Sequence, residues 1–291
     1  MTVGVIGLGI MGGAMARNLV ADGLEVVGYD VSADAAMGLE QAGGRAMDSI
    51  DDVAGATKTI ITSVATNSAF ATVISELAAT TGPEHVVIEA STMPLADKER
   101  ANSVLTATGA VMLDCPISGT GAQAAARDLV FLASGDADAI ALVTPLLERL
   151  GRAVHNLGQF GAGSKMKFVA NLLVAIHNVA TAEALVLAEK SGLDLAQVYE
   201  VLFESAATSR IFQLRAPMMI ENKYLPATAK VSMFCKDLDI ISGFAASFDC
   251  PTPLLAAVRP YYAAAMAQGM AESDAASVCA VLEQMAGIER S

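Results

Sequence analysis

VGVIGLGIMGG, Val3 to Gly13, stands almost at the start of the chain. Val3, Val5 and Ile6 read as a strand buried on both faces, as strands of a parallel sheet are. Glycines then fall at positions 7, 9, 12 and 13. Four glycines so close together suit neither a strand nor a helix. Three readings compete: a secretion signal, a flexible apolar opening, or a turn that holds a ligand against bare backbone. No basic residue precedes the run, and the first arginine is Arg17, after it, so a signal peptide is disfavoured.

The flanks decide for the turn. Gly7-Leu8-Gly9-Ile10-Met11-Gly12 matches G-x-G-x-x-G. GAMARNLVADG (13–23) follows with helical spacing, and LEVVGYD (24–30) reads as a second strand ending in Asp30. Strand, glycine turn, helix and acidic second strand together form the dinucleotide-binding fingerprint. Gly7 permits the tight turn, Gly9 lets backbone approach a pyrophosphate, and Gly12 permits close helix–strand packing. The helix N-terminus offers unpaired N–H groups to phosphate. Asp30 can accept a hydrogen bond from a ribose 2′-hydroxyl and would repel a 2′-phosphate. With Val31-Ser32 after it rather than an arginine, NAD is favoured over NADP.

The remaining pattern gives an α/β fold class. Strands are predicted at 57–64, 85–92, 110–119 and 129–135, with helices at 68–79, 94–109 and 137–151 between them. This is a doubly wound parallel sheet with an extended edge. From Ser164 to Ser191 one long helical pattern runs without Gly or Pro. Further helices are predicted near 194–206, 209–221, 228–248, 252–268 and 273–288. The organisation expected is an N-terminal Rossmann domain (1–162) and an all-helical C-terminal domain (163–291), joined by the long helix.

Composition narrows the function. The chain has 291 residues and a net charge of −13, which argues against a nucleic-acid partner. The four cysteines lie far apart without a CxxC pair, as expected of free thiols in a reducing, cytoplasmic setting. Three scattered histidines give no metal site. No segment reaches the ~18 uninterrupted apolar residues of a membrane span.

Three stretches could carry chemistry. In DCPISGTGA (114–122), Ser118, Gly119 and Thr120 could present N–H and hydroxyl groups to an anion, or form an ordinary turn. In GAGSKMKFVAN (161–171), Lys167 and Asn171 share a helical face. Lys165 and Lys167 could be solvated charges, yet cations are unfavourable at a helix N-terminus. In MFCKDLDII (233–241), Lys236 and Asp237 could be a structural ion pair.

These motifs, in this order and over essentially the whole chain, resemble the β-hydroxyacid dehydrogenase family, which includes 3-hydroxyisobutyrate, tartronate semialdehyde and threonate dehydrogenases. EASTMP is similar to its D-x-S-T-x-x-P segment and DCPISGT to its D-A-P-V-S-G-G substrate loop. GAGSKMKFVAN is similar to G-x-G-x-x-x-K-x-x-x-N, and Lys236-Asp237-Leu238 to its late Lys-Asp motif. The resemblance implies reversible hydride transfer between NAD and a small hydroxy acid. It implies Lys167 as general acid/base, with Ser118, Gly119, Thr120 and Asn171 on the substrate. Gly7, Leu8, Gly9, Ile10, Met11, Gly12, Asp30, Val64, Ala65, Thr92 and Lys236 would hold the cofactor. Free lysine has a pKa near ~10.4, so the base role needs help from the helix N-terminus, Lys165 and desolvation.

The chain departs from the family at Val64-Ala65, where Leu-Pro is usual, at Thr120 in place of a glycine, and at Cys115 in place of alanine. AATSRIFQLRAPMM (206–219) and KVSMFCKDLDII (230–241) look nearer the threonate branch. Arg210 and Arg215 could serve a polar substrate or interface salt bridges. A homodimer or homotetramer is expected. The alternatives are an imine reductase of the same fold, a non-catalytic dinucleotide-binding module, and the larger 6-phosphogluconate dehydrogenase type.

Overall fold

The computed structural model describes residues 1–289. The first compact unit, Met1–Lys167, opens with β1 (Thr2–Ile6), α1 (Ile10–Ala21), β2 (Glu25–Tyr29), α2 (Ala33–Gln41), β3 (Arg45–Ala46) and α3 (Ile50–Ala56). It continues with β4 (Thr59–Thr62), α4 (Asn67–Thr80), β5 (Val86–Glu89), α5 (Leu95–Thr106) and β6 (Val111–Asp114). These six strands form one parallel sheet in the order β3-β2-β1-β4-β5-β6. The order reverses between β1 and β4, and ligands of such sheets bind beyond the strand ends at that point.

Successive residues of each strand feed opposite faces. Val5, Ile61, Ile88 and Leu113 join one core with Met15 and Leu19 of α1. Their neighbours Ile6, Ile60, Val87 and Met112 join the other, with Val53 of α3, Phe70 and Leu77 of α4 and Leu105 of α5. This double burial is why the strands carry almost no polar residues until their ends.

The predicted strand 110–119 and the extended edge of the sheet need correction. β6 stops at Asp114, and β7 (Ile117–Ser118) belongs to a second sheet. Pro116 between them has no N–H for a ladder, which explains the break. The second sheet runs β7-β8-β9, with α6 (Gly121–Ala125), β8 (Leu129–Ala133), α7 (Ala137–Leu147) and β9 (Gly151–Asn156). β7 pairs antiparallel and β9 parallel to β8. β9, GRAVHN, carried no strand signal because it is a largely exposed edge with mixed side chains. The short elements α2, β3 and α3 were likewise not anticipated.

α8 (Ala162–Lys190) is a single helix of 29 residues, and Lys167 is the last residue of the first unit on it. By length and composition α8 could cross a membrane, with a mean hydropathy of 1.5 over its most apolar stretch. Its apolar residues instead feed the core: Phe168, Ala175, Val179, Ala182 and Leu185 are buried. Asn178, also buried, donates to Tyr262 Oη at 3.0 Å and to the Ala275 carbonyl at 2.8 Å.

The second unit, from Phe168 onward, is helical: α9 (Leu195–Glu204), α10 (Arg210–Ile220), α11 (Val231–Ala246), α12 (Pro253–Ala267), a 3₁₀ turn (Ala275–Ser277) and α13 (Val278–Met285). Arg215 is buried here, 3.6 Å from Asp274 and stacked over the Phe234 ring. Asp274 also accepts from Thr228 N at 2.9 Å and Ala229 N at 3.0 Å. Arg215 thus ties α10 to α11 and to the 3₁₀ turn inside its own unit, a structural role that the sequence reading did not include.

Candidate functional site

The glycine turn lies at the switch point, between the end of β1 and the start of α1. Gly7 has φ +89°, and a Cβ on it would stand 2.2 Å from the Ser63 carbonyl oxygen after β4. A Cβ on Gly12 would stand 1.9 Å from the Gly7 carbonyl oxygen. These two glycines are demanded by packing. Gly9 is different: a Cβ there would meet nothing within 4 Å. Gly9 is also the N-cap of α1, with no side chain capping the helix. Free space over bare backbone, beside N–H groups without a cap, is what a dinucleotide pyrophosphate requires, so the residues present fit the cofactor. Overpacking costs about 1–3 kcal/mol, so Gly12→Ala should weaken dinucleotide binding about tenfold or more in a fluorescence titration.

Asp30 follows β2 and braces the same turn. Its Oδ2 accepts from Leu8 N at 2.6 Å and its Oδ1 from Ser32 N at 2.8 Å. Ile10 is exposed and Met11 half-buried. Across the switch point, Val64 and Ala65 follow β4, and Val64 N donates to Ser91 Oγ at 2.9 Å. Thr92 is half-buried beside Ser91. The structure thus brings the Gly7–Gly12 turn and Asp30 together, and joins the Val64 loop to Ser91.

The loop after β7 is built differently from its expected role. Thr120 is the N-cap of α6 in a reciprocal capping box: its Oγ1 accepts from Gln123 N at 3.4 Å, and its N–H donates to Gln123 Oε1 at 3.1 Å. The Thr120 hydroxyl therefore already serves the local fold. Gly119 has φ +151°. Ser118, at the end of β7, is half-buried. Asn18 of α1 donates to the Ala124 carbonyl at 2.8 Å, which ties this loop's helix to the helix behind the glycine turn.

Lys167 lies in the second turn of α8 with 9% of its surface exposed, whereas Lys165 is exposed. Asn171, one turn further on, is buried and donates from Nδ2 to Asp237 Oδ2 at 2.8 Å. Lys236 Nζ lies 3.4 Å from Asp237 Oδ1. Asn171, Asp237 and Lys236 therefore form one polar group within the helical unit.

A buried cluster at the ends of β5 and β6 was not anticipated. Lys98 of α5 is fully buried, with Nζ 2.5 Å from Glu89 Oε2 and 2.8 Å from Asp114 Oδ1. Burial alone would lower the Lys98 ammonium, but Asp114 and Glu89 outweigh it and hold it above the usual lysine range. Asp114 also takes Ser164 Oγ at 2.7 Å and Ser164 N at 2.8 Å. The first turn of α8 carries no acidic residue of its own, so β6 supplies the anion that the positive helix end favours. A signal was present: Glu89 and Asp114 are the acidic residues that close otherwise apolar strands.

Comparison with known proteins agrees along the chain. Residues 2–158 match the family described as the NAD binding domain of 6-phosphogluconate dehydrogenase. Residues 161–282 match that described as NAD-binding of NADP-dependent 3-hydroxyisobutyrate dehydrogenase. An L-threonate dehydrogenase of Cupriavidus necator is 32% identical, the match covering 99% of this chain and 97% of that protein. A crystal structure of a 3-hydroxyisobutyrate dehydrogenase from Salmonella typhimurium has a TM-score of 0.88 at 29% identity, over 97% of this chain and 99% of that one. An imine reductase from Pseudomonas sp. has a TM-score of 0.64 at 21% identity, over 97% of this chain and 99% of that one, a likeness of fold alone.

Proposed function

The chain belongs to the β-hydroxyacid dehydrogenase family, and on that footing we propose that it oxidises a small threonate-like hydroxy acid with NAD, reversibly, Lys167 carrying the proton. Hydroxy acid dehydrogenase activity follows from the family. The choice of substrate and of cofactor is the proposal.

The observation that carries it is a lysine held buried in the second turn of α8, one helical turn before a buried asparagine. Gly7 to Gly12, Asp30, Val64, Ala65, Thr92 and Lys236 would hold the dinucleotide, which when bound supplies the acceptor or donor of hydride. Lys167 takes the proton from the substrate hydroxyl oxygen in oxidation and returns it to the carbonyl oxygen in reduction. Asn171 orients that end of the substrate, its amide held by Asp237. Ser118 and the Gly119 N–H receive the carboxylate, with Thr120, whose own N–H is held by Gln123, beside them. Two fixed ends leave the reacting carbon little freedom, which is where orientation lowers the barrier.

Two observations support the finer points. The L-threonate dehydrogenase relative matches nearly end to end, which favours a polyhydroxy acid. Asp30 puts a carboxylate at the end of β2 beside the Gly7–Gly12 turn, and a carboxylate there would repel a 2′-phosphate, which favours NAD. Wild type should therefore use NAD in preference to NADP, and Asp30→Asn should narrow the kcat/KM ratio about tenfold or more, as one removed charge repulsion predicts. A ratio unchanged by that substitution would remove Asp30 from cofactor choice.

Met166, Val169, Leu173 and Leu187 leave an exposed apolar stripe on α8, and α9 exposes Val201 and Phe203. These support a homodimer or homotetramer. All four cysteines are free, which supports a reducing, cytoplasmic setting. Neither nucleic acid nor membrane is a proposed partner.

A further inference from the structure

A continuous run of polar contacts crosses the first unit from the Val64 loop to the start of α8. Val64 N donates to Ser91 Oγ at 2.9 Å, and Ser91 N donates to Glu89 Oε1 at 2.8 Å. Glu89 Oε2 meets Lys98 Nζ at 2.5 Å, and Lys98 Nζ meets Asp114 Oδ1 at 2.8 Å. Asp114 then accepts from both the hydroxyl and the N–H of Ser164. The neighbouring amide, Gly163 N, donates to Ser134 Oγ at 2.9 Å, and Ser134 Oγ in turn lies 3.2 Å from Asp114 Oδ2. Glu89, Ser91, Lys98, Asp114, Ser134 and Ser164 are all buried.

The first turn of a helix has N–H groups without intrahelical partners, and helix ends fray when nothing else takes them. In α8 two of those groups, on Gly163 and Ser164, are taken by side chains of other elements. The turn is also pressed onto the sheets: a Cβ on Gly163 would stand 2.2 Å from the Leu132 carbonyl oxygen and 2.8 Å from that of Asp114. Lys167 is three residues beyond Ser164. Its Cα is therefore set by where Asp114 holds this turn.

We propose that Asp114 and Ser164 are positioning residues of the reaction, which fix the first turn of α8 and so aim the Lys167 amine at the substrate oxygen. This rests on Lys167 being the proton carrier. Asp114 touches neither substrate nor cofactor in this account. Its effect passes through Ser164 and the helix backbone. Misplacement of a reacting group by about 1 Å can cost ~10²-fold in rate. Loss of a single neutral-to-charged hydrogen bond leaves most of the fold intact.

Ser164→Ala removes the hydroxyl contact and keeps the backbone one. Its kcat should fall about tenfold, with the dinucleotide dissociation constant unchanged and a larger solvent deuterium isotope effect on kcat as proton transfer becomes slower. Ser164→Thr, which keeps an Oγ, should restore most of kcat. A purely structural role would lower the melting temperature and leave the isotope effect alone. The proposal is overturned if Ser164→Ala keeps kcat within about twofold of wild type, or if its loss comes with no change in isotope effect. Lys167→Ala is measured alongside. If that variant turns over normally, the proton-carrier reading fails and takes the proposal with it. If Lys167→Ala is inactive and Ser164→Ala is not impaired, the proposal alone fails.

Discussion

Lys167→Ala is expected to lower kcat by about 10²–10⁴-fold, the usual contribution of a positioned general acid or base. The dinucleotide should still bind, because the proposed cradle, Gly7 to Gly12 with Asp30 around the β1–α1 turn, does not include Lys167. Small primary amines added to the variant should recover part of the rate, as the proposed proton-carrier role requires and a scaffold role does not. Lys167→Met keeps most of the apolar stem and should be as impaired as alanine. Retention of more than about a tenth of wild-type kcat in either variant would remove Lys167 from the chemistry.

Lys98→Met is expected to be the most destabilising single substitution in the dinucleotide unit. It would leave Glu89 and Asp114 buried near one another with no cation between them. Removing one partner of a buried ion pair typically costs about 3–5 kcal/mol, against 0–1 kcal/mol for an exposed pair. Exposed pairs such as Lys58–Glu84 give the comparison: Lys58→Met should be close to neutral. The cost should shrink in Glu89→Gln with Lys98→Met, because the second change removes a stranded charge, and the two residues touch and so do not act additively. Chemical denaturation of the three variants measures this. A cost for Lys98→Met within about 1 kcal/mol of that for Lys58→Met would contradict the buried-cluster account.

The same cluster has a defined pH dependence. The folded pKa of Lys98 is raised, so its stabilisation is fully present below the unfolded value near ~10.4 and is lost only as pH rises through the higher folded value. Neutral pH leaves it intact.

The glycine turn was legible because its signal is local. A few consecutive residues specify the turn, and Asp30 arrives at the end of the very next strand. The long helix was legible by its unbroken 3.6-residue pattern, and its N-terminal lysines by their conflict with the helix dipole. What answers that conflict was not legible. Asp114 lies 50 residues before Ser164 in the chain and meets it only through the pairing of β6 with its neighbours. Lys98 reads as an ordinary charge on a helix because its partners sit on β5 and β6. Arg215 was equally opaque, since Asp274 comes from a segment beyond two further helices. Two features were within reach. Pro116 marks the end of β6, and Thr120-Gly121-Ala122-Gln123 has the spacing of a capping box, which assigns the Thr120 hydroxyl to the backbone before any ligand.

The proposed reaction rests on one event, transfer of hydride from a hydroxy acid carbon while Lys167 takes the hydroxyl proton. L-Threonate deuterated at its carbon-bound hydrogens, incubated with the protein and NAD, tests it directly. Mass spectrometry of the reduced nicotinamide should show one deuterium gained from the substrate, and Lys167→Ala should form labelled product at least about a hundredfold more slowly. Reduced cofactor without the label would contradict the account. So would the absence of reduction with L-threonate, 3-hydroxyisobutyrate and glycerate alike in a protein that reduces cyclic imines.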